Sequence, residues 1–572
     1  MRFFQIIILF LIIVFQAGCF NAYSSKDDKQ TKQEQAAVIL VTQEILFNLP
    51  HITVTNIKNF GIMKSGFIIG TASDPDNKTI TAVEVSIDDG PYQAATGTTA
   101  WKFQIPTGAS IWKDGSEHTI SVRCINADSK YSRLTILTVL KGVNCDVNGD
   151  GYQDMAVGAP GYNSMQGRVY IHHGSPDAID TVPSKTLTGE NTSDNFGISL
   201  IMGDINGDGY ADCVVGASGF NSNTGRVYIY YGSADGINSA TSPSPQTRDG
   251  STTSEYFGSP LTLGDVNGDG YEDVAAGAPN YNSHQGRAYI FHGGSSGISS
   301  SADRTLTGTA NSDLSTGLAI GDTNGDGYGD LAVSAPFTYT DADKGLVYIF
   351  EGNGSGIGGT ATKTLTGFET GDYFGFRVTI GDIDRDGYGE LVVGSPGYDT
   401  GAGRIYVYSG SISGINDGIS YTPQHIDAEA AGISLGTSLA LDDINGDGLS
   451  DLAVTALAYN SFTGRVYVHN GGNTGLSAAP SQTLTGSAAS YFGLSLSLGD
   501  INNNGYADLV IGSPCANTNS GRVDIFPGSS DGIGSTSSKT LTGVGTSNAY
   551  GYSVSQGNNN HDNWDGLFFM FM

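Results

Sequence analysis

Seven nine-residue segments of this 572-residue chain carry oxygen-bearing side chains at positions 1, 3, 5 and 9. They begin, at intervals of 57 to 61 residues, at Asp146, Asp204, Asp265, Asp322, Asp382, Asp443 and Asp500. A glycine at position 6 permits the sharp turn that would bring these side chains to one point. Carboxylate and amide oxygens are the ligands that Ca²⁺ prefers. The pattern therefore predicts up to seven calcium-binding loops.

The seven loops differ in their ligands. Loops one to four and loop six have Asp, Asn, Asp and Asp at the four positions. Loop five has Asp384 and Glu390 at positions 3 and 9, which adds charge but places Arg385 nearby. In loop seven, asparagines at positions 3 and 5 leave Asp500 and Asp508 as the only carboxylates, so this site is predicted to be the weakest.

The residue at position 7 is expected to offer only its backbone carbonyl. Position 12 falls in a predicted strand, where Val157 stands in the first loop, so these are hairpin loops and not EF-hands. The predicted ligands are, loop by loop, Asp146, Asn148, Asp150, Tyr152, Asp154; Asp204, Asn206, Asp208, Tyr210, Asp212; Asp265, Asn267, Asp269, Tyr271, Asp273; Asp322, Asn324, Asp326, Tyr328, Asp330; Asp382, Asp384, Asp386, Tyr388, Glu390; Asp443, Asn445, Asp447, Leu449, Asp451; Asp500, Asn502, Asn504, Tyr506, Asp508.

Composition limits both the fold class and the partners. The chain has 82 glycines and only 15% charged residues, a mixture that favours short strands and tight turns over long amphipathic helices. An all-β fold is therefore predicted. The formal net charge of −30 argues against nucleic acid as a partner, because phosphates require a basic surface.

Each repeat also contains four short apolar runs, which must position its loop. In the second repeat these are residues 196–200 before the loop, 214–217 after it, 225–232, and a closing Leu-Thr-Gly-type strand. No segment shows a 3.6-residue periodicity over the length of a helix. Four strands per repeat of about 60 residues are typical of a β-propeller blade.

The order of the motifs supports a specific resemblance. Phe257-Gly258, a calcium loop and then Gly277-Ala278-Pro279 resemble the FG-GAP repeat of the integrin α-subunit β-propeller. The aromatic-Gly pair returns at Phe196-Gly197, Phe374-Gly375 and Phe492-Gly493, with each glycine seven residues before its loop. The fourth repeat offers Thr316-Gly317 and the sixth Leu435-Gly436 in its place. The resemblance covers residues 143–557 and implies a propeller with a binding role.

The strands at the two ends of the repeat array complement each other. The first loop has no aromatic-Gly strand before it, whereas residues 550–555 form a spare strand after the seventh repeat. We predict that this strand completes the first blade and closes a seven-bladed ring, which removes exposed strand edges. The alternative is a ragged eighth blade, because Asn558, Asn560 and Asp562 have loop spacing. An irregular tail at 558–572 ends in the apolar run 567–572, for which the sequence offers no physical explanation.

The amino terminus has the features of an export signal. Residues 3–15 contain a single polar residue, Gln5, a length suited to a signal-peptide core and short for a membrane span. Gln16-Ala17-Gly18-Cys19 resembles the lipobox of bacterial lipoproteins, although that pattern prefers Leu where Gln16 stands. We predict a signal peptide at 1–18, lipidation of Cys19 and a solvated tether at 19–48. An ordinary cleaved signal and an uncleaved anchor are the alternatives.

Residues 49–142 precede the repeats and contain no calcium loop. Period-two alternation at 81–87 and 118–123, separated by turn signals, predicts a β-sandwich. The segment resembles bacterial Ig-like surface modules, which implies a spacer, and Trp101 is expected in its core. Cys124 and Cys145 are either a bridge between the two domains or free thiols.

Several patterns that suggest catalysis have simpler explanations. Residues 432–436 fit the G-x-S-x-G of serine hydrolases but occupy the position of an aromatic-Gly strand, with no helix following. Residues 354–359 fit G-x-G-x-x-G but also lack a following helix. The arginines that recur at one position of the repeats are expected to be structural. The histidines at strand ends, His172, His173, His292 and His469, are expected on the surface.

Two hypotheses follow for the function. The first is a non-enzymatic, calcium-stabilised lipoprotein of the bacterial cell envelope, at the outer membrane or cell surface, whose propeller binds a protein or glycan. Its lipid anchor would hold it to a membrane. The second is a carbohydrate- or lipid-active envelope enzyme that uses the propeller as a scaffold. The binding hypothesis is favoured because no cluster of carboxylates or histidines stands outside the loops.

Overall fold

The computed structural model describes residues 49–57, 62–63, 66–105, 117–141, 144–176, 178–237, 245–338, 343–417 and 422–556. The predicted signal peptide, Cys19, the tether and the 558–572 tail lie outside the described residues. The chain is all-β as predicted, with 42% strand and 5% helix. None of the helices among the described residues is both long enough and apolar enough to cross a membrane.

Two sheets enclose one apolar core at the start of the described chain, and we call this unit the amino-terminal sandwich. Its strands are β1 (His51–Val54), β2 (Ile62–Met63), β3 (Phe67–Ser73), β4 (Ile80–Ile87), β5 (Gln93–Ala94), β6 (Thr96–Gly97), β7 (Ala100–Gln104), β8 (Glu117–Asn126) and β9 (Thr135–Lys141). The sheet orders are β1-β3-β7-β6 and β2-β9-β8-β4-β5. Alternation along β4 buries Val83 and Val85 against Ile120 and Val122. Trp101 is 1% exposed, which confirms it as a core residue.

Among the described residues, seven four-stranded antiparallel sheets follow the sandwich. Sheet one combines β10 (Met155–Ala159), β11 (Arg168–His172) and β14 (Lys185–Thr188) with β39 (Ser553–Ser555), beside the small hairpin of β12 (Gly174–Ser175) and β13 (Ala178–Ile179). Sheet two is β15 (Phe196–Gly203), β16 (Asp212–Ala217), β17 (Arg226–Tyr230) and β18 (Gln246–Asp249). Sheet three is β19 (Leu261–Gly264), β20 (Asp273–Ala278), β21 (Arg287–Phe291) and β22 (Arg304–Thr307).

The remaining sheets repeat this plan. Sheet four is β23 (Leu318–Gly321), β24 (Asp330–Ala335), β25 (Leu346–Phe350) and β26 (Lys363–Thr366). Sheet five is β27 (Arg377–Gly381), β28 (Glu390–Ser395), β29 (Arg404–Tyr408) and β30 (Gln424–Asp427). Sheet six is β31 (Leu435–Asp442), β32 (Asp451–Ala456), β33 (Arg465–His469) and β34 (Gln482–Thr485). Sheet seven is β35 (Ser495–Gly499), β36 (Asp508–Ser513), β37 (Arg522–Phe526) and β38 (Lys539–Thr542).

A separate apolar core fills the space between neighbouring sheets. In β16, Val215 packs with Val169 and Ile171 of sheet one, whereas Val214 packs with Leu263 of sheet three. Successive side chains of a strand point to opposite faces, so a strand covered on both faces is apolar throughout. This explains why the run after each loop is continuously apolar and why β16 is buried at every residue.

The sheets form a ring through their first strands. Each of β15, β19, β23, β27 and β31 contacts the first strand of the next sheet, and β35 contacts β39. Strand β39 pairs with β10 through Ala156↔Ser555, Val157↔Val554 and Gly158↔Ser553. The prediction that the last strand joins the sheet of the first loop is therefore confirmed. This pairing covers an edge of β10 that would otherwise be open.

The fourth repeat differs from the sequence prediction. A backbone bridge joins Gly225 to Phe257 of the next aromatic-Gly pair, and the equivalent bridge in the fourth repeat joins Gly286 to Leu314. Leu314-Ser315, and not Thr316-Gly317, therefore occupies the aromatic-Gly position. The bridge also explains the glycine at Gly225, which has φ +82° and whose Cβ would lie 2.1 Å from the Phe257 carbonyl oxygen.

Six helical turns connect second strands to third strands in the described residues. They are α1 (Tyr162–Met165), α2 (Phe220–Asn223), α3 (Tyr281–His284), α4 (Tyr398–Gly401), α5 (Tyr459–Phe462) and α6 (Ala516–Asn519), and the two central residues of each have positive φ. The recurring arginines stack on the first aromatic residue of these turns. The Arg226 guanidinium lies 3.8 Å from the centre of the Phe220 ring, and four other sheets repeat the contact at 3.6 to 3.8 Å. This supports the structural role predicted for them.

The prediction that four strand-end histidines lie on the surface was wrong for two of them. His172 and His469 are each 2% exposed. Their Nδ1 atoms lie 2.8 Å from the carbonyl oxygens of Asp180 and Ser477, so both buried rings have a hydrogen-bond partner. His173 and His292 are half-buried. The cysteines at 124, 145, 213 and 515 form no disulfide among the described residues, so the possible bridge between the first two is absent.

Candidate metal sites and the opposite face

The first three ligand positions of each loop lie on a tight backbone turn. In loop two, the Asp204 carboxylate accepts hydrogen bonds from the N–H groups of Gly207 at 2.8 Å and Gly209 at 2.9 Å. Asn206 accepts from the Asp208 N–H at 2.9 Å, and Asp208 from the Tyr210 N–H at 3.0 Å. These bonds hold the side-chain oxygens on the inside of the turn, where they could coordinate a cation.

The carboxylate at position 9 has a role that sequence reasoning missed. In loop two, Asp212 accepts from the N–H of Ile205 at position 2 and from the N–H of Gly232, which follows the third strand. The same pair of bonds occurs in all seven loops at 2.8 to 3.2 Å. Position 9 therefore ties each loop to the end of its third strand. A glycine 20 residues after position 9, or 22 residues after it in loop four, was the available sequence signal.

These position 9 carboxylates are buried, and burial disfavours their charged form. It raises the pKa of Asp212 well above the ordinary value, and the neighbouring Asp204 raises it further. Burial likewise raises the pKa of Asp330 to about 6 and the pKa values of Glu390, Asp451 and Asp508 to about 7. A cation coordinated within the loop would supply the missing opposite charge, so the donor set fits a divalent metal.

Loop five provides the most direct fit. Ligand oxygens of Asp382, Asp384 and Glu390 lie within 4.8 Å of one another, the one such group of three acidic, histidine or cysteine residues in the described chain. One buried carboxylate oxygen each of Asp382 and Asp384 has no hydrogen-bond partner within that part of the chain. The Arg385 guanidinium lies instead against Gly448 of loop six. Arg385 therefore leaves the space between the three carboxylates, which we call the cradle of loop five, open to a cation.

Loop seven has the same turn but fewer carboxylates. The Asn502 amide donates to the Asp508 carboxylate at 3.2 Å, as the Asn445 amide does to Asp451 in loop six at 3.3 Å. Asn503 donates to the carbonyl of Gly151 in loop one. The prediction that loop seven is the weakest site therefore still depends on its two carboxylates and stays a prediction.

The opposite end of the ring carries a different repeated structure. Strand β15 runs from Phe196 to Gly203, so its two ends are about 23 Å apart at a rise of about 3.3 Å per residue. At the Phe196 end, a residue with φ between 44° and 57° precedes each aromatic-Gly position. Its N–H donates to the carbonyl of a residue in the preceding sheet. The donor and acceptor pairs, at 2.8 to 3.1 Å, are Asn195 and Met165, Tyr256 and Asn223, Asp313 and His284, Tyr373 and Asp343, Ser434 and Gly401, Tyr491 and Phe462, and Ala549 and Asn519.

We call these fourteen residues the junction ring. Its backbone geometry is constant, whereas its side chains include aromatic, aliphatic, acidic, basic and amide groups. Ser434 of the G-x-S-x-G pattern is a member, with φ 56° and its N–H bound to Gly401, so it does not stand on a strand-to-helix nucleophile turn.

One sector of the junction ring is apolar. The rings of Phe462 and Tyr491 stack at 5.0 Å with an interplanar angle of 9°. Tyr491 and Ala549 pack on a buried cluster of Ile198, Leu457, Leu494 and Tyr552. On the opposite side of the junction ring the donor and acceptor residues have polar side chains. His284 Nδ1 lies 2.8 Å from Asp313 Oδ1, and the Asn223 amide donates to the Tyr256 hydroxyl at 3.1 Å. The face therefore presents apolar and polar sectors on a uniform backbone.

Comparison with known proteins matches the repeats. The FG-GAP repeat matches residues 141–172, 196–230, 257–291, 315–350 and 374–408, and an FG-GAP-like repeat matches 443–511. Human integrin alpha-8 is 29% identical over 325 residues, which cover 50% of this chain and 29% of that protein. Integrin alpha-4 of Xenopus laevis is 34% identical over 185 residues, covering 31% and 16% of the two chains. Together these matches support an FG-GAP β-propeller.

Two further matches are not to integrin alpha chains: one is to an enzyme and the other is to a solved propeller structure. A phosphatidylinositol-glycan-specific phospholipase D of Bos taurus is 33% identical over 204 residues, covering 32% of this chain and 24% of that protein. The solved structure of the Dos1 propeller aligns with a TM-score of 0.34 and 10% identity over 66% of this chain and 81% of that chain. The chain spans less than a third of the length of these curated relatives.

Proposed function

We propose that this protein is a non-enzymatic surface protein that binds a macromolecule through the junction ring of a calcium-stabilised propeller. In this proposal the seven sheets are seven FG-GAP blades and the amino-terminal sandwich is an Ig-like spacer. The homology to integrin alpha chains suggests a binding role. The observation that carries the proposal is the junction ring, where side chains vary on a constant backbone, as a recognition surface requires.

A protein partner fits the apolar sector best. Aromatic side chains in the centre of an interface contribute most of its binding energy, and polar neighbours surround them. The stacked Phe462 and Tyr491 would be such an anchor, with Met165, 48% exposed, on the next sector. A glycan would use the same stacked rings with the polar side of the junction ring.

A double variant tests this face. We expect Phe462→Ala with Tyr491→Ala to weaken binding at least about tenfold, because the stacked anchor is removed. Ile412→Ala is the matched control, since Ile412 is 81% exposed in the connection between β29 and β30 at the loop end. Binding partners would first be sought among host proteins, glycans and envelope polysaccharides with the calcium-loaded chain and an EGTA control. A failure to bind any of these classes, or equal loss in both variants, would contradict the proposal.

The enzymatic alternative has one specific support, the partial match to a phospholipase D. Outside the calcium loops, the described residues contain no group of three acidic, histidine or cysteine side chains with ligand atoms within 4.8 Å. A metal-dependent hydrolytic site separate from the loops would need such a group. Hydrolysis of a phosphatidylinositol-glycan substrate by the purified chain would favour this alternative.

We also propose that the protein is anchored in the bacterial cell envelope through lipidated Cys19. Intact-mass measurement of the mature protein is expected to show acyl chains, and Cys19→Ala is expected to abolish them and release the protein from the membrane fraction. Cys515→Ala is the control, because this thiol is free and only partly buried. A wild-type mature protein without acyl mass on Cys19 would rule out lipidation.

A further inference from the structure

The amino-terminal sandwich rests directly on loops one and two. The Gln104 amide donates to the Asp208 carbonyl, and the Asn144 amide to the Gly209 carbonyl, both at 2.8 Å. The Phe67 ring of β3 lies 5.1 Å from the ring of Tyr210. A sheet of the sandwich and the segment after it thus contact the predicted metal loops themselves.

Lys102 of β7 brings a positive charge into this contact. Its ammonium group donates to the carbonyl of Gly149, at position 4 of loop one. It lies 3.5 Å from the centre of the Phe67 ring and 5.3 Å from that of Tyr210. Burial lowers the pKa of Lys102, whereas Asp146 and Asp150 of the loop favour its charged form. The loop one carboxylates therefore already have a cation beside them.

The first aspartate of loop one is buried where the sandwich meets the loop, whereas Asp150 at position 5 is exposed. Asp146 is 0% exposed, while the first aspartate of each of the other six loops is partly exposed. Side chains of Ile69 and Asn56 lie against Gly151. Asp146 itself accepts from the Gly151 N–H at 2.8 Å, so the loop has the same turn as its counterparts. Burial of Asp146 beside the sandwich, and not a different loop conformation, distinguishes loop one from the other six.

We propose that the amino-terminal sandwich is a calcium-displaced lid on loop one, in which the Lys102 ammonium and a bound Ca²⁺ compete for the same loop. The inference rests on the calcium occupancy proposed above. Ca²⁺ entering loop one at the exposed Asp150 would meet the like charge of Lys102 on the Gly149 carbonyl, so its binding would loosen the lid. Because coupling between two binding events is reciprocal, the seated lid lowers the affinity of loop one by the same factor.

Calcium titration of the full chain tests the competition. Lys102→Met keeps the aliphatic stem over Phe67 but removes the charge, and it is expected to raise the affinity of loop one about tenfold. Asp150→Ala identifies the loop one transition, because it removes that transition alone. Lys78→Met is the matched control, since Lys78 is a sandwich lysine, 46% exposed, paired with Asp128 away from the loops. The control is expected to leave loop one unchanged.

An interdomain distance provides the second measurement. Spin labels at Asp76→Cys in the sandwich and Ser355→Cys in sheet four, both exposed positions, would be read in a Cys515→Ser background. We expect one narrow distance in EGTA and a shifted or broadened one in calcium. Identical distances together with an unchanged loop one affinity in Lys102→Met would overturn the lid, even if the other loops bind calcium. Absence of calcium binding at every loop would overturn the proposed calcium stabilisation as well.

Discussion

Excess EGTA is expected to lower the melting temperature of the calcium-loaded protein by up to about 10 °C. Calcium sites of the extracellular type bind at about 0.1 to 1 mM, so millimolar calcium stabilises each site by up to about 1.4 kcal/mol. Seven independent sites at the tight end of this range would together contribute about 10 kcal/mol, which is comparable to the whole free energy of unfolding of a typical domain. For a ring of about 400 residues this upper limit corresponds to roughly 10 °C.

The physical reason lies in the position 9 carboxylates. Each is buried and tied to the third strand of its sheet, so removing the cation leaves a buried charge without its partner. Restoring calcium should restore the melt, and magnesium should do so less well, because it demands a smaller octahedral site and keeps its waters. Differential scanning calorimetry in calcium, magnesium and EGTA measures the effect. An unchanged melt in EGTA would show that calcium does not stabilise the fold.

Removing strand β39 is expected to have a still larger local effect. A chain ending at Asn548 loses the pairing of residues 553–555 with β10 and the burial of Val554, which is 0% exposed. It also loses the hydrogen bond from the Ser553 hydroxyl to the Gly197 carbonyl at 2.8 Å and the contact between the Tyr550 hydroxyl and His172 at 3.0 Å. The ring would then open with exposed edges on β10, so we expect aggregation or failure to fold.

The matched control is a chain ending at Gln556, which keeps β39 and lacks only the tail after it. We expect this chain to melt within about 2 °C of the full chain and to elute like it in size-exclusion chromatography. A milder variant, Val554→Asp, tests the same contact by burying an unpaired charge, and should cost about 3 kcal/mol or more. If the Asn548 truncation melted like its control, closure through β39 would not stabilise the ring.

Much of the repeat architecture could be predicted from local spacing. The loop positions, the four strands per repeat and the all-β class follow from short motifs, because turn geometry and strand alternation depend on residues close in sequence. The spare strand at 550–555 was predictable for a related reason: an incomplete first repeat and an extra last strand complement each other. The FG-GAP matches and the β10–β39 pairing confirm these predictions.

Contacts between distant residues were not predictable in the same way. The Thr316-Gly317 register was wrong because the bridge to Gly286 selects Leu314-Ser315, and that bridge exists only when neighbouring sheets pack. His172 was assigned to the surface because its partner, Tyr550, stands 378 residues away. Arg385 was expected to disturb loop five, but its side chain lies against loop six. In each case a residue in another sheet determines the environment.

The sequence by itself thus determined the repeating unit, the turn that gathers each set of predicted ligands, and the class of the fold. These depend on φ preferences, alternation and spacing within about 60 residues. Only the tertiary structure decided which side chains meet across sheets: the junction ring, the open cradle of loop five, and the sandwich seated on loops one and two with Lys102 bonded to the Gly149 carbonyl. Such contacts depend on how the sheets pack into a ring, and that packing cannot be predicted from residues close together in the sequence.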